Sequence, residues 1–132
     1  MKKQTILWAD DDVDDLMMMK EILMKNNQDQ DVVEVHNGLE ALDYLNKAKQ
    51  EGTLPCLIIL DINMPVMDGK ETLSILRRSE DFKHIPVVVF STSNSEMDKA
   101  FCKNFKSNLV TKPPLYTSLE TAIMEILNFC SL

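Results

Sequence analysis

Short apolar runs alternate with longer segments whose apolar residues recur every three or four positions. The runs cover residues 5–9, 32–36, 56–60, 87–90 and 109–111. They are brief and rich in Val, Ile and Leu, which predicts strands covered on both faces. Val32-Val33-Glu34-Val35-His36 alternates more than the others and predicts a strand nearer a sheet edge. The segments between read as helices over 14–26, 39–50, 69–78, 95–106 and 116–129. Leu16, Met19, Ile22 and Leu23 share one face of the first; Leu119, Ile123, Ile126 and Leu127 share one face of the last. Ser95-Glu96-Met97-Asp98 resembles a capping box and marks the start of the fourth. Strict strand–helix alternation predicts parallel strands, right-handed crossovers and a doubly wound α/β sheet. The five units use up the chain, so the expected organisation is one domain over 1–132 with no effector domain.

Composition narrows the function. A chain of 132 residues that is 45% hydrophobic and 27% charged can build a core and is not expected to be disordered. With 14 basic and 21 acidic side chains the formal charge is −7, which argues against direct nucleic-acid binding or a membrane-surface role. No apolar run approaches the roughly 20 residues of a membrane span, and the N-terminus lacks a signal-peptide pattern. Cys56, Cys102 and Cys130 are odd in number and widely spaced, so neither a disulfide framework nor a zinc site is expected. The expected compartment is a reducing cytoplasm. His36 and His84 read as loop or surface residues, and the nine methionines read mostly as core filler.

In a doubly wound sheet, ligands gather at the carboxyl ends of the strands. Asp10, Asp11 and Asp12 follow the first run, Asp61 the third, Ser91-Thr92-Ser93 the fourth, and Lys112-Pro113 the fifth. Carboxylates, a hydroxyl and an ammonium are thus expected at one edge. Two carboxylates about 5 Å apart repel by roughly 3 kcal/mol at an effective dielectric near 20, so the site calls for a counter-cation. All-oxygen donors in small number favour Mg²⁺. An Asp beside such a cation, with Lys and hydroxyl near, is suited to hold a phosphoryl group and to act as its nucleophile. Asp12 taken alone reads as a helix cap.

The stretches Ile6-Leu7-Trp8-Ala9-Asp10-Asp11-Asp12, Ile58 to Gly69 with its Asp61-Ile62-Asn63-Met64-Pro65, Pro86 to Ser91, and Val110-Thr111-Lys112-Pro113 make the chain similar to another group of proteins. It resembles, over nearly its full length, the response-regulator receiver domains of two-component signalling, in particular the stand-alone CheY-like ones. The resemblance implies a flavodoxin-like five-stranded parallel sheet in the order 2-1-3-4-5. It implies Asp61 as phosphoacceptor, Ser91 as switch hydroxyl and Lys112 as phosphoryl contact. Asp11, Asp61 and the Asn63 backbone carbonyl would ligate Mg²⁺ directly, and Asp10 mostly through water. The Lys112–Pro113 bond would be cis. The phosphoryl donor would be a sensor histidine kinase or a histidine phosphotransfer protein. Output would be binding of a further protein, or a homodimer through the fourth helix, fifth strand and fifth helix. Such a domain is a switch and not an enzyme with free substrates. Three positions depart from the common pattern: Leu109 replaces the usual aromatic switch residue, Thr92 follows Ser91, and Pro114 follows Pro113.

Other readings of the same residues stay open. A haloacid-dehalogenase-like phosphatase also uses Asp, Ser/Thr, Lys and Mg²⁺, but Asn63 stands where its acid/base Asp is needed. A flavodoxin-like cofactor binder would need phosphate donors where Asp10 to Asp12 stand. A pure interaction module would keep the fold without the chemistry. Asp10, Asp12, Asp14 and Glu21 fit EF-hand positions, but the sixth position is Asp15 where that loop needs Gly.

Overall fold

A computed structural model of the chain describes residues 4–26, 28 and 30–130. The strands are β1 (Thr5–Ala9), β2 (Asp31–Val35), β3 (Leu57–Leu60), β4 (Val87–Ser91) and β5 (Asn108–Thr111). The helices are α1 (Val13–Lys25), α2 (Gly38–Glu51), α3 (Gly69–Arg78), α4 (Glu96–Asn104) and α5 (Tyr116–Leu127). All strand pairs are parallel, and the sheet order is β2-β1-β3-β4-β5. This is the expected doubly wound architecture, with the alternating strand β2 at one edge.

Strand periodicity divides the interior in two. Leu7, Ala9, Ile58, Leu60, Val87 and Val89 pack with α2, α3 and α4 residues such as Ala41, Leu45, Leu73, Leu76 and Cys102. Ile6, Trp8, Leu57, Ile59, Val88 and Phe90 face the opposite layer of α1 and α5. Each fully buried Leu or Ile contributes on the order of 1.5–3 kcal/mol, so both faces hold the strands in register. Four of the five helices start on side-chain caps, Asp12 for α1, Asn37 for α2, Asp68 for α3 and Ser95 for α4, whereas α5 starts at Leu115 without one. Helix α2 ends on Gly52 at φ 70°, a left-handed position that glycine takes without strain. Helix α4 stops two residues before the expected end, where Lys106 adopts φ 55° and turns the chain into β5.

Two expectations are corrected. Cys56 and Cys130 form a disulfide across 74 residues of sequence, leaving Cys102 as the buried free cysteine. The wide spacing hid this pairing: packing of α5 against the sheet brings the segment after it to the entry of β3, and no local pattern records that. The Lys112–Pro113 bond is trans, since no cis peptide occurs among the described residues. Trans is the lower-energy form of an X–Pro bond by roughly 0.5–1 kcal/mol. No helix among the described residues is long and apolar enough to cross a membrane.

Closing so long a loop restricts the unfolded chain and is worth about 4 kcal/mol in the chain-entropy description. Thiol titration of the denatured, unreduced protein should therefore count one free cysteine, rising to three after a dithiol reductant. The reduced protein should unfold at a clearly lower denaturant midpoint. Three thiols before reduction would show that the bridge does not form.

Candidate functional site

The carboxyl edge of the sheet is assembled by the strand ladder itself. Asp10 N–H donates to the Val35 carbonyl at 3.0 Å, and Asp61 N–H donates to the Ala9 carbonyl at 2.9 Å. These bonds place two carboxylates side by side at the ends of β1 and β3. Lys112 N–H donates to the Ser91 carbonyl at 2.7 Å, which sets the end of β5 against that of β4. Gly69 lies so close beneath the site that a Cβ there would fall 2.0 Å from the Asp61 carbonyl oxygen. Only glycine lets α3 begin in contact with the backbone that carries Asp61.

The Lys112 ammonium joins these segments. Its Nζ donates to Asp10 Oδ2 at 2.7 Å, to Asp15 Oδ2 at 3.0 Å and to Asp61 Oδ2 at 3.3 Å. The Lys112 side chain is only 8% exposed, so these charges meet with little water between them. Nζ also lies 5.9 Å from the centre of the Phe90 ring, within reach of a cation–π contact. Asp10 is fully buried, and its other oxygen accepts from Asp12 N–H at 2.9 Å. Burial pushes the Asp10 carboxyl up to about 6, against the opposing pull of Lys112 and the Asp12 N–H. Burial by itself would lower the Lys112 ammonium, but Asp10, Asp61 and Asp15 together raise it above its ordinary value. Lys112 is thus charged at any physiological pH.

One carboxylate oxygen from each of Asp10, Asp11 and Asp61 lies within 4.8 Å of the other two. Hard oxygen donors at this spacing, with Asp11 open to solvent, fit a divalent cation that keeps part of its water shell. Four carboxylates (Asp10, Asp11, Asp15 and Asp61) against one ammonium leave an excess of negative charge that such an ion would offset.

The sequence-predicted residues fall as follows. Asp10, Asp11, Asp61 and Lys112 come together. Ser91 ends β4 with its side chain buried, its Oγ within 3.5 Å of the Ser93 N–H. Asn63 lies exposed in the loop after β3, two residues beyond Asp61. Asp12 caps α1, accepting from the N–H groups of Asp14 and Asp15 at 3.0 and 3.2 Å. Leu109 packs against the α3–α4 core together with Phe101 and Phe105. Thr92 is exposed and lines, with Asp15, Lys112 and Pro113, a cavity of about 300 Å³ between α1 and the start of α5. Asp15 was not anticipated at the site. Its signal lay in the cap: with Asp12 at the N-cap, the third helical residue lies in the turn that overlooks the strand ends.

Comparison with known proteins agrees with this geometry. The family model described as response regulator receiver domain matches residues 6–123. The response regulator Rcp1 of Synechocystis sp. is 34% identical over 97 residues, covering 72% of this chain and 66%, just under two thirds, of that protein. The phosphorylated cyanobacterial phytochrome response regulator RcpA superposes with a TM-score of 0.87 at 31% identity, covering 97% of this chain and 94% of its own. The Mn²⁺-bound form of Rcp1 gives a TM-score of 0.84 at 31% identity, covering 96% and 93%.

Two outcomes follow, one from the site's electrostatics and one from its packing. The folded-state pKa of Asp10 is raised from 3.8 to about 6, so folding favours its protonated form. That contribution to stability is complete below about pH 4 and is lost as the pH rises through 6. A divalent cation needs the ionised form, so its affinity should be level above pH 7 and fall up to about tenfold per pH unit below 6. Calorimetric titration of Mg²⁺ or Mn²⁺ from pH 5 to 8 reads this directly; a flat profile would contradict it. Gly69→Ala should displace the Asp61 backbone or unfold the chain, costing about 1–3 kcal/mol in the manner of core overpacking, and should weaken metal binding with it.

Proposed function

The chain belongs to the response-regulator receiver domain family, and on that premise we propose that it is a phosphorylation-driven switch whose acceptor is Asp61. The observation that carries the reading is the single ammonium of Lys112, within hydrogen-bonding reach of both Asp10 and Asp61 at the carboxyl edge of the sheet. Receiver domains take their phosphoryl groups from the histidine-kinase branch of two-component signalling, and the donor proposed here is a sensor histidine kinase or a histidine phosphotransfer protein.

In this reading Asp11, Asp61 and the Asn63 carbonyl hold Mg²⁺, with Asp10 acting chiefly through water. The Mn²⁺-bound state of Rcp1 and the oxygen donor set support a divalent ion here. Bound there, the ion supplies positive charge to the non-bridging phosphoryl oxygens. An Asp61 carboxylate oxygen attacks phosphorus of the donor phosphohistidine. A P–O bond forms, the P–N bond breaks, and the imidazole leaves with its electron pair and takes up a proton. Lys112 contacts one phosphoryl oxygen, and the Ser91 hydroxyl turns toward another. Attack of water on the acyl phosphate later releases inorganic phosphate and restores Asp61. Such a step resets a switch and turns over no free substrate.

The output is a changed preference between two arrangements of the α4–β5–α5 face. Phosphorylation shifts that balance only by as much as the phosphoryl group favours one arrangement. Because position 109 is Leu, partly buried against the core, no aromatic ring there reports the change, so in this reading the readout rests on backbone shifts around Ser91 and Thr92. The partner is a further protein or a second copy of the chain docking on this face.

Incubation with acetyl phosphate and Mg²⁺ should raise the intact mass by one phosphoryl group. Asp61→Asn and omission of the metal should each abolish the gain. Persistence of the gain in Asp61→Asn would place the acceptor elsewhere, and no gain at any time point would remove the switch reading.

A further inference from the structure

We propose that Asp15 is a positioning residue that holds the Lys112 ammonium back from Asp61, so that Asp61 Oδ2 keeps only a long contact to Lys112 and can attack phosphorus, while Oδ1 accepts from the Ile62 N–H at 2.7 Å. The inference rests on the reading of Asp61 as phosphoacceptor. An ammonium has three N–H donors, and Lys112 has three carboxylate acceptors. Its contacts lengthen from Asp10 at 2.7 Å through Asp15 at 3.0 Å to Asp61 at 3.3 Å. The pair a nucleophilic carboxylate most needs to avoid is therefore the longest of the three. Asp10 alone does not account for this. It stands at the end of β1 beside Asp61, on the next strand, and a lysine drawn only to these two would settle between them.

Asp15 pulls from a third direction. It projects from the first turn of α1, and the Asp12 cap fixes that turn by accepting from the Asp15 N–H itself. Its side chain is 33% exposed, against 1% for Asp10 and 13% for Asp61, so it anchors Lys112 from the solvent side. When the phosphoryl group arrives, Lys112 can keep Asp10 and Asp15 and exchange the long Asp61 contact for a phosphoryl oxygen. The ammonium is thus held in place before the reaction and has no tight ion pair to break. A helix-stabilising acid would also be welcome in this turn, but Asp14 next to it meets that need from an exposed position.

The test compares Asp15→Asn with Asp14→Asn, which removes the same charge from the same turn. Two quantities are read: the initial rate of phosphorylation by acetyl phosphate with Mg²⁺, and the Lys112 Nζ to Asp61 separation in a crystal structure of each variant. In Asp15→Asn the separation should close from 3.3 Å to about 2.8 Å, the length of a tight charged pair. Its rate should fall about tenfold, the scale of one charge-assisted hydrogen bond. Asp14→Asn should change neither, and Asp15→Glu, which keeps the charge, should stay within about threefold of wild type. A wild-type rate in Asp15→Asn, an unchanged separation, or an equal loss in Asp14→Asn each overturns the proposal. If the wild-type chain takes no phosphoryl group, the switch reading fails by itself, and the separation still decides whether Asp15 places Lys112.

Discussion

One ammonium has to serve carboxylates delivered by three segments, and the geometry of the site follows from how it is shared. Lys112 leaves β5, yet its shortest contact is to Asp10 at the end of β1, three strands away across β4 and β3. A fully buried carboxylate is tolerable only with such a partner. Removing the lysine would leave Asp10 uncompensated, a change that costs roughly 3–5 kcal/mol in buried ion pairs. The pair therefore ties the two halves of the sheet together over the topological crevice. Charge is not balanced there, because Asp11, Asp15 and Asp61 add three further carboxylates. The edge is poised to take up a proton or a cation, and that readiness is bought with stability.

The rest of the fold keeps this edge rigid. Two apolar layers clamp the strands, and β1, β3 and β4 contribute to both, so the ends of these strands have little freedom to drift. Phe90 lies beneath the Lys112 ammonium, and Gly69 lets α3 start against the Asp61 backbone. The loop between β3 and α3 carries one strained point, Val66 at φ 69°, a conformation that β-branched residues rarely adopt. It lies between Asp61 and the α3 cap Asp68, in the segment that must pass close under the site. The other margin of the site is more open: Thr92 is exposed, and β5 is the less buried edge strand. The carboxylates at the ends of β1 and β3, the buried Ser91 hydroxyl and the Lys112 ammonium are thus all held, and the exposed loop beginning at Thr92 borders them.

Sequence patterns determined a great deal here because they are local. Alternating apolar runs and helical spacings located five strands and five helices to within a residue or two, since burial on both faces imposes those periods. Reading the residue after each strand was enough to bring Asp10, Asp11, Asp61, Ser91 and Lys112 to one edge, because parallel strands end on the same side. The helix cap at Asp12 was equally legible, as a cap is a contact between near neighbours. The features that only the tertiary structure decided all join distant parts of the chain. Asp15 meets Lys112 across 97 residues, and Cys56 meets Cys130 across 74. The ranking of Lys112 toward Asp10 over Asp61 depends on differences of a few tenths of an ångström that packing sets. No periodicity encodes such contacts, because they arise from how separately formed elements are stacked and not from the sequence of any one of them.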